Sequence, residues 1–185
     1  MTVGRSEDDR FAECVAFTLH AEDQTDTGVF TDDPRDSGGA TRWGVTQKTL
    51  SEWFGRPATK DEVRTLPRSV ACDIARHKYW VPMKCGQLAP GVDLMMFDFG
   101  YNAGNDRAVR VLQKVVGAVQ DGVIGPKTLA AAADYDPAHL AALLADAQET
   151  FYRSLPKFSV YGNGWLDRTE KRRASALRLA QAAAA

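Results

Sequence analysis

The sequence has few of the residues that build metal centres and disulfide frameworks. It contains three cysteines and three histidines in 185 residues. No two histidines form a zinc-binding helical motif, so we expect no metal and no cofactor. The cysteines, Cys14, Cys72 and Cys85, are odd in number and widely spaced, which favours reduced thiols. A Cys72–Cys85 bridge is the alternative.

An excess of charge of one sign and a long apolar run are also missing. The formal net charge is −1, whereas nucleic-acid-binding proteins usually carry a basic excess. The most apolar stretch, 92–99, is far shorter than the ~20 residues of a membrane span. The first ten residues are polar and acidic, unlike a signal peptide. We expect a soluble monomer that neither binds nucleic acid nor inserts stably into a membrane.

Basic residues are nonetheless concentrated near the end of the chain. Arg168, Lys171, Arg172, Arg173 and Arg178 lie close together there. One interpretation is the solvated face of a helix. The other is attraction to an anionic cell envelope, and the sequence leaves both open.

Apolar periodicity predicts a mainly α-helical fold. Residues 23–46 are the exception, since they are rich in Gly, Asp, Thr and Pro and predict a loop with a small hairpin. Short apolar pieces at 29–30 and 43–45 are the expected strands. The fold class is therefore mainly α with a small antiparallel β-hairpin or sheet near the N-terminal third. Helices are predicted over 8–21, 48–54, 67–79, 92–116, 127–133, 137–155 and 164–185. Thr46 is the expected N-cap of the second helix, and Thr59 is expected to cap a short turn through Val63.

Glu22 ends a stripe of apolar residues on the first predicted helix. Phe11, Val15, Leu19 and Glu22 recur at spacings of four and three. A carboxyl group there would be desolvated and would face the negative end of the helix dipole, and both effects favour the protonated acid. Glycosidic cleavage requires an acid that protonates the leaving oxygen. The alternative is a helix-end glutamate that points into solvent.

Further carboxylates follow on the loop. Asp36, together with the hydroxyl of Thr41, is the first candidate for activating a water or stabilising an oxocarbenium-like transition state, and Asp33 is the next. Aspartates in such a loop are also ordinary turn residues. Thr41 is equally compatible with a plain strand position.

Polar and aromatic side chains suggest a sugar-binding cleft. Asp98 and Asn102 share a face of the helix predicted over 92–116, and Tyr101 lies beside them. We predict that these three residues and Asp33 bind substrate, with Trp43, Phe30 or Tyr101 stacking on pyranose rings. The alternative for Asp98 is internal capping of the hairpin, because a polar group on a buried helix needs a partner.

Taken together, these motifs make the chain resemble glycoside hydrolase family 108, the N-acetylmuramidases found as phage endolysins and in secretion-associated bacterial proteins. The similarity is collinear from about Phe11 to Arg168. It rests on the following segments: Asp33-Pro34-x-Asp36-Ser37-Gly38-Gly39-Ala40-Thr41-x-Trp43-Gly44-Val45-Thr46, Tyr79-Trp80, Phe97-Asp98 with Asn102 and Gly104, Leu112-Gln113, residues 121–129 and Gly164-Trp165-Leu166-x-Arg168.

The resemblance implies a lysozyme-like helical body. It implies a catalytic part over 8–91 and a helical part over 92–181 that resembles a peptidoglycan-binding region and packs as one body with the first. The catalytic glutamate of the family corresponds to Glu22. The family has Gly-Gly-Tyr next, whereas this chain inserts a loop over 23–28 before Phe30, which would reshape the cleft. The loop also brings rival carboxylates, Asp23 and Asp26.

The implied function is endo-hydrolysis of the β-1,4 bond between N-acetylmuramic acid and N-acetylglucosamine in bacterial peptidoglycan. An endolysin of this kind would be made in the host cytoplasm without a signal peptide and would act in the periplasm or on the cell wall. Two alternatives remain open. A lytic transglycosylase needs a single glutamate and leaves 1,6-anhydro ends, and a non-catalytic wall-binding or virion structural protein would keep only the fold.

Overall fold

The computed structural model describes residues 5–22, 27–32 and 39–184, and it confirms the mainly α-helical fold class. In these ranges no helix is long and apolar enough to cross a membrane. The two short strands are β1 (Thr41–Arg42) and β2 (Val45–Thr46). The helices described are α1 (Glu7–Glu22), α2 (Gln47–Phe54), α3 (Lys60–Arg64), α4 (Arg68–Ala75), α5 (Val92–Ala103), α6 (Asn105–Val115), α7 (Pro126–Ala133), α8 (Pro137–Arg153) and α9 (Phe158–Ala184).

The chain folds as two compact units, which we describe separately. Val15–Lys78 forms the hairpin unit, and the residues up to Cys14 form the helical unit together with those from Tyr79 onward. The predicted division into 8–91 and 92–181 stays a prediction.

The hairpin unit contains the small antiparallel sheet. Thr41 pairs with Thr46, and an isolated bridge joins Thr41 to Thr31 on the preceding segment. The turn consists of Trp43 and Gly44, with φ of 55° and 70°. Two consecutive positive φ angles give the turn that best matches the twist of a two-residue hairpin. Of the apolar piece 43–45, Val45 lies on β2, and Trp43 forms the turn of the predicted hairpin.

Side-chain caps start the next two helices as the sequence predicted. The Thr46 hydroxyl accepts a hydrogen bond from the Thr49 amide at 3.2 Å and begins α2. Thr59 and Glu62 form a reciprocal capping box at the start of α3. Each cap satisfies amide groups that have no partner within the first helical turn.

An aromatic cluster forms part of the core of the helical unit. The Phe11 ring lies edge-on to Trp80 and Phe97, with centroids 5.4 and 5.8 Å away. The indole Nε1 of Trp80 donates to the Glu7 carboxylate at 3.0 Å, so the polar end of this buried ring has its partner. Trp80 closes a π-helical turn, Arg76–Trp80, that continues α4.

Two of the predicted helices differ from the structure by a break or by several residues. The helix predicted over 92–116 is two helices, because Gly104 adopts φ of 94° and ends α5 before α6 begins. Its apolar pattern continues across the break, so periodicity alone did not reveal it. The last helix begins at Phe158 rather than at residue 164.

The three cysteines are free thiols, as predicted, and the Cys72–Cys85 alternative is not formed. Cys14 and Cys85 are buried, whereas Cys72 is half-buried. Burial raises the pKa of the Cys14 and Cys85 thiols well above the ordinary range. Both are therefore poor nucleophiles in the folded protein.

Candidate active site

Glu22 is the last residue of α1, at the predicted position. The apolar stripe that precedes it is buried at Phe11, Val15 and Leu19. Glu22 itself is exposed. The burial that the stripe predicts for Glu22 is therefore not found, because the last residue of α1 reaches solvent. Access to solvent is nevertheless what a group that must reach a polymeric substrate requires.

Arg42 on β1 holds the segment 27–32. Its Nε donates to the carbonyl oxygen of Gly28 at 2.8 Å, and its Nη2 donates to that of Thr27 at 3.3 Å. Its Nη1 donates to the carbonyl oxygen of Arg64 at the end of α3. One guanidinium thus fixes three carbonyl groups, which a planar fork of donors can do and a lysine ammonium cannot reproduce.

Two further cations fasten the same segment from α3. The guanidinium carbon of Arg64 lies 4.6 Å from the centroid of the Phe30 ring. Lys60 Nζ forms an ion pair with Asp32 at 2.8 Å. The half-buried ring of Phe30 therefore has a cation as its neighbour. We predicted Phe30 as a sugar-stacking residue, and this role stays a prediction.

Sequence reasoning missed the cations that order this part of the hairpin unit. Arg42 occupies the variable position between Thr41 and Trp43 in the motif that carried the resemblance. Lys60 and Arg64 are spaced four apart on a short helix, which places both side chains on one face. That spacing was the available signal, but no pattern indicated the carbonyl groups and ring that they contact.

Thr41 lies on β1, and its hydroxyl already donates one hydrogen bond. The backbone of Thr41 exchanges two hydrogen bonds with Thr31, at 2.8 and 2.9 Å. Its hydroxyl donates to the Gly39 carbonyl oxygen at 3.2 Å. A hydroxyl has one proton and two acceptor lone pairs, so Thr41 can still accept a hydrogen bond from a water. Its role in holding the water stays a prediction.

Trp43 is buried by its own unit. Its residue exposure is 6%, and Nε1 donates to the Leu66 carbonyl oxygen at 3.2 Å. Gly28 lies so close to the indole that an added Cβ would be 2.3 Å from the ring. Stacking on a pyranose needs an accessible ring face, so in this conformation the geometry gives Trp43 a packing role rather than the predicted sugar contact.

The proposed catalytic partners of Glu22 lie outside the described residues. Asp33 and Asp36 fall in one gap, and the rival carboxylates Asp23 and Asp26 fall in the other. Their roles stay predictions.

Asp98 is at the centre of a buried ion-pair network in the helical unit. Its carboxylate receives Nη2 of Arg168 at 2.7 Å and lies 3.2 Å from Nη1 of Arg172. Asp98 and Arg172 are fully buried. The carboxylate faces α9 rather than solvent, so it ties α5 to α9 where we had expected a cleft wall. Two of the basic residues near the chain end, Arg168 and Arg172, thus share one internal carboxylate and do not belong to a solvated face.

Tyr101 and Asn102 lie at the end of α5. Tyr101 is half-buried and packs on Tyr79 with ring centroids 4.8 Å apart. Asn102 is exposed, and its Oδ1 accepts a hydrogen bond from the Tyr152 hydroxyl at 2.8 Å. Both retain surface that a ligand can touch, and their substrate-binding role stays a prediction.

A pocket of about 380 Å³ in the helical unit offers no acid–base chemistry. Its described lining is mostly aliphatic and includes Leu88, Val92, Leu129 and Leu140 together with Tyr135. No Asp, Glu or His of the described chain contributes to it. The described ranges also contain no cluster of three His, Cys, Asp or Glu side chains arranged to hold a metal ion.

The comparisons identify the class of protein to which this arrangement belongs. The family model Glycosyl hydrolase 108 matches residues 16–104, and the model Predicted Peptidoglycan domain matches residues 107–170. The first match contains Glu22, the hairpin and α5. No curated protein matches the chain.

A solved structure supports the same assignment over nearly the whole chain. The structure of Brucella abortus SagA is 40% identical in sequence, with a TM-score of 0.81, and the similarity covers 92% of this chain and 95% of that one. The chain belongs to the glycosyl hydrolase 108 family. It is accordingly a glycoside hydrolase with a peptidoglycan domain, and peptidoglycan is its substrate.

Proposed function

We propose that this chain is an N-acetylmuramidase that hydrolyses the β-1,4 bond between N-acetylmuramic acid and N-acetylglucosamine, with Glu22 as the general acid. The observation that carries the proposal is the position of Glu22. It ends α1, is exposed, and lies within the segment that matches the hydrolase family model. No other carboxylate of α1 lies at its C-terminal end.

The proposed reaction needs one proton donor and one activated water. Glu22 gives its proton to the glycosidic oxygen as the bond to the anomeric carbon breaks, and the freed sugar leaves with a hydroxyl. Water attacks the anomeric carbon and passes its proton to a second carboxylate, for which Asp36 is the first candidate and Asp33 the next. Thr41 accepts a hydrogen bond from that water. A later exchange of protons with solvent restores both carboxyl groups.

The ordered segment 27–32 supports this assignment. Three cations, Arg42, Lys60 and Arg64, fasten it through carbonyl, carboxylate and ring contacts. These contacts fix the backbone of the segment that follows the proposed acid in the chain, and catalytic groups lose much of their effect when they are misplaced by about 1 Å.

Analysis of the products on purified peptidoglycan tests the proposal. Hydrolysis at the proposed bond releases fragments with a reducing N-acetylmuramic acid end, which borohydride reduces and mass spectrometry identifies. Fragments with 1,6-anhydro ends would instead identify a lytic transglycosylase, and a reducing N-acetylglucosamine end would move the cleavage to the other glycosidic bond. Either product would overturn the proposed specificity.

We also propose that the protein acts as a monomer on the periplasmic face of the wall, as an endolysin does after release from the cytoplasm. Added externally, it would then lyse cells only after their outer barrier is permeabilised. Size-exclusion chromatography with light scattering checks the monomer. Equal lysis of intact and permeabilised cells would contradict the proposed site of action.

A further inference from the structure

A surface groove in the hairpin unit lies where no sequence motif pointed. It has a volume of about 470 Å³ and is lined, among the described residues, by Glu52, Trp53, His77 and Lys78. Glu52 and Trp53 lie in the last turn of α2. His77 and Lys78 lie in the π-helical turn that follows α4. Small-molecule sites typically enclose 300–1,000 Å³ and combine aromatic surface with a few polar groups, as this groove does.

Trp53 provides the apolar surface of the groove. It is 40% exposed, whereas Trp43 and Trp80 are 6% and 1% exposed. The His77 ring packs against it in a T-shaped contact, with centroids 5.6 Å apart and planes at 69°. This contact orients the indole while much of the ring stays accessible. An oriented aromatic face is suited to stacking against the C–H face of a pyranose.

The rim of the groove is charged. Lys78 Nζ pairs with Glu52 at 2.7 Å. Lys48 lies one helical turn before Glu52 on the same face of α2. Both lysines lower the pKa of Glu52, Lys78 by its hydrogen bond and Lys48 through space. Two ammonium groups therefore lie near one carboxylate at this rim, and this local arrangement favours an acidic ligand.

We infer that this groove is a second binding site for peptidoglycan, in which one sugar ring stacks on Trp53 and an acidic substituent of the strand meets Lys78. The ligand class is an acidic saccharide: muramic acid has a free lactyl carboxylate where no peptide is attached, and the attached peptide carries carboxylates of its own elsewhere. The inference takes its ligand from the proposed function but concerns binding at a position other than Glu22. Such a site would hold the enzyme on an insoluble wall between cleavage events.

The experiment compares adjacent variants of the full chain. Trp53→Ala removes the platform, and Phe54→Ala is the matched control, because Phe54 is its neighbour, is also 40% exposed and does not line the groove. Lys78→Gln removes the rim charge. Each variant is sedimented with purified sacculi over a range of salt, and its thermal midpoint confirms folding. Reducing ends released from short soluble glycan fragments are measured in parallel.

Trp53→Ala is expected to weaken binding to sacculi about fivefold, a typical effect of losing one aromatic contact, and to leave turnover of the short fragments unchanged. Lys78→Gln should weaken binding at low salt and have little effect at high salt. Phe54→Ala should bind as the parent does. Equal binding by Trp53→Ala and Phe54→Ala would overturn the inference. Absence of reducing ends from the parent protein would instead refute the proposed function and leave the binding comparison standing.

Discussion

The guanidinium Nε of Arg42 donates to the carbonyl oxygen of Gly28 at 2.8 Å, and the same side chain contacts the carbonyls of Thr27 and Arg64. Arg42 thus connects the hairpin to residues 27 and 28, at the start of segment 27–32. Together with Lys60 and Arg64, Arg42 is one of the described contacts that hold segment 27–32, which follows the proposed acid in the chain.

Replacing Arg42 by lysine should lower kcat at least tenfold with a smaller change in KM. A lysine keeps the charge but cannot supply donors in a planar fork, so the segment 27–32, which follows the proposed acid in the chain, loses contacts that fix its backbone. Steady-state kinetics on soluble peptidoglycan fragments measures the effect. Arg56→Lys is the control, because the ion pair of Arg56 with Glu62 lies on the surface. Unchanged kcat in Arg42→Lys would show that this anchor does not serve catalysis.

Gly28 should tolerate no side chain. Gly28 and Gly55 have nearly equal φ, 70° and 66°, but an added Cβ at Gly28 would meet Trp43, whereas nothing lies within 4 Å at Gly55. Gly55→Ala therefore pays only the backbone cost of about 1 kcal/mol. Gly28→Ala adds a clash with a buried ring, for which overpacking suggests about 1–3 kcal/mol more. Urea unfolding of both variants measures the difference, and equal destabilisation would contradict the close packing.

Asp98 should prove essential for stability. Asp98→Asn leaves Arg168 and Arg172 without their carboxylate in the interior of the helical unit, a change that costs about 3–5 kcal/mol in buried pairs. Asp167→Asn is the control, because Asp167 pairs with Lys171 on the surface. Denaturant unfolding measures the free energy of unfolding of both variants. An Asp98→Asn variant with parental stability and a raised KM would contradict the structural role and support the predicted sugar contact.

Asp93 should make stability depend on pH. Its carboxylate accepts two amide hydrogen bonds at 2.8 Å and pairs with Arg10, yet burial dominates and raises its pKa to about 6. The unfolded chain has a pKa near 3.9 for aspartate, so the folded state binds the proton more tightly. The resulting stabilisation is complete below about pH 4 and is lost as the pH rises through about 6.

The difference in unfolding free energy between Asp93→Asn and the parent isolates this effect. Asparagine does not titrate, so the variant should gain on the parent by up to about 3 kcal/mol between pH 4 and pH 7.5. The loss of the Arg10 partner shifts the whole curve but not its slope. A difference that stays constant over this range would show that Asp93 has an ordinary pKa.

The sequence predicted those parts of the fold that depend on local physics. The caps at Thr46 and Thr59 and the ends of α1 and α2 follow from hydrogen-bonding side chains and apolar spacing. The break at Gly104 was missed because the apolar pattern continues across it, and only the φ of one glycine ends the helix there.

The candidate site was less predictable, since its contacts are between segments far apart in sequence. The pairing of Asp98 with Arg168 joins residues 70 positions apart, which no short motif encodes. The same limit applies to Trp43. We predicted that its ring stacks on a sugar, but its turn conformation and its packing on Gly28 bury the ring. Residue type indicated possible chemistry, while tertiary contacts decided which side chains reach solvent.

The most direct test of the central claim is the activity of Glu22→Gln on purified peptidoglycan. Glutamine keeps the size of the side chain but has no proton to give, and loss of a general acid typically costs 10²–10⁴-fold in rate. The account predicts that release of reducing ends falls by that factor, while the circular dichroism spectrum and the thermal midpoint match the parent. A Glu22→Gln variant that hydrolyses peptidoglycan at the parental rate would contradict it.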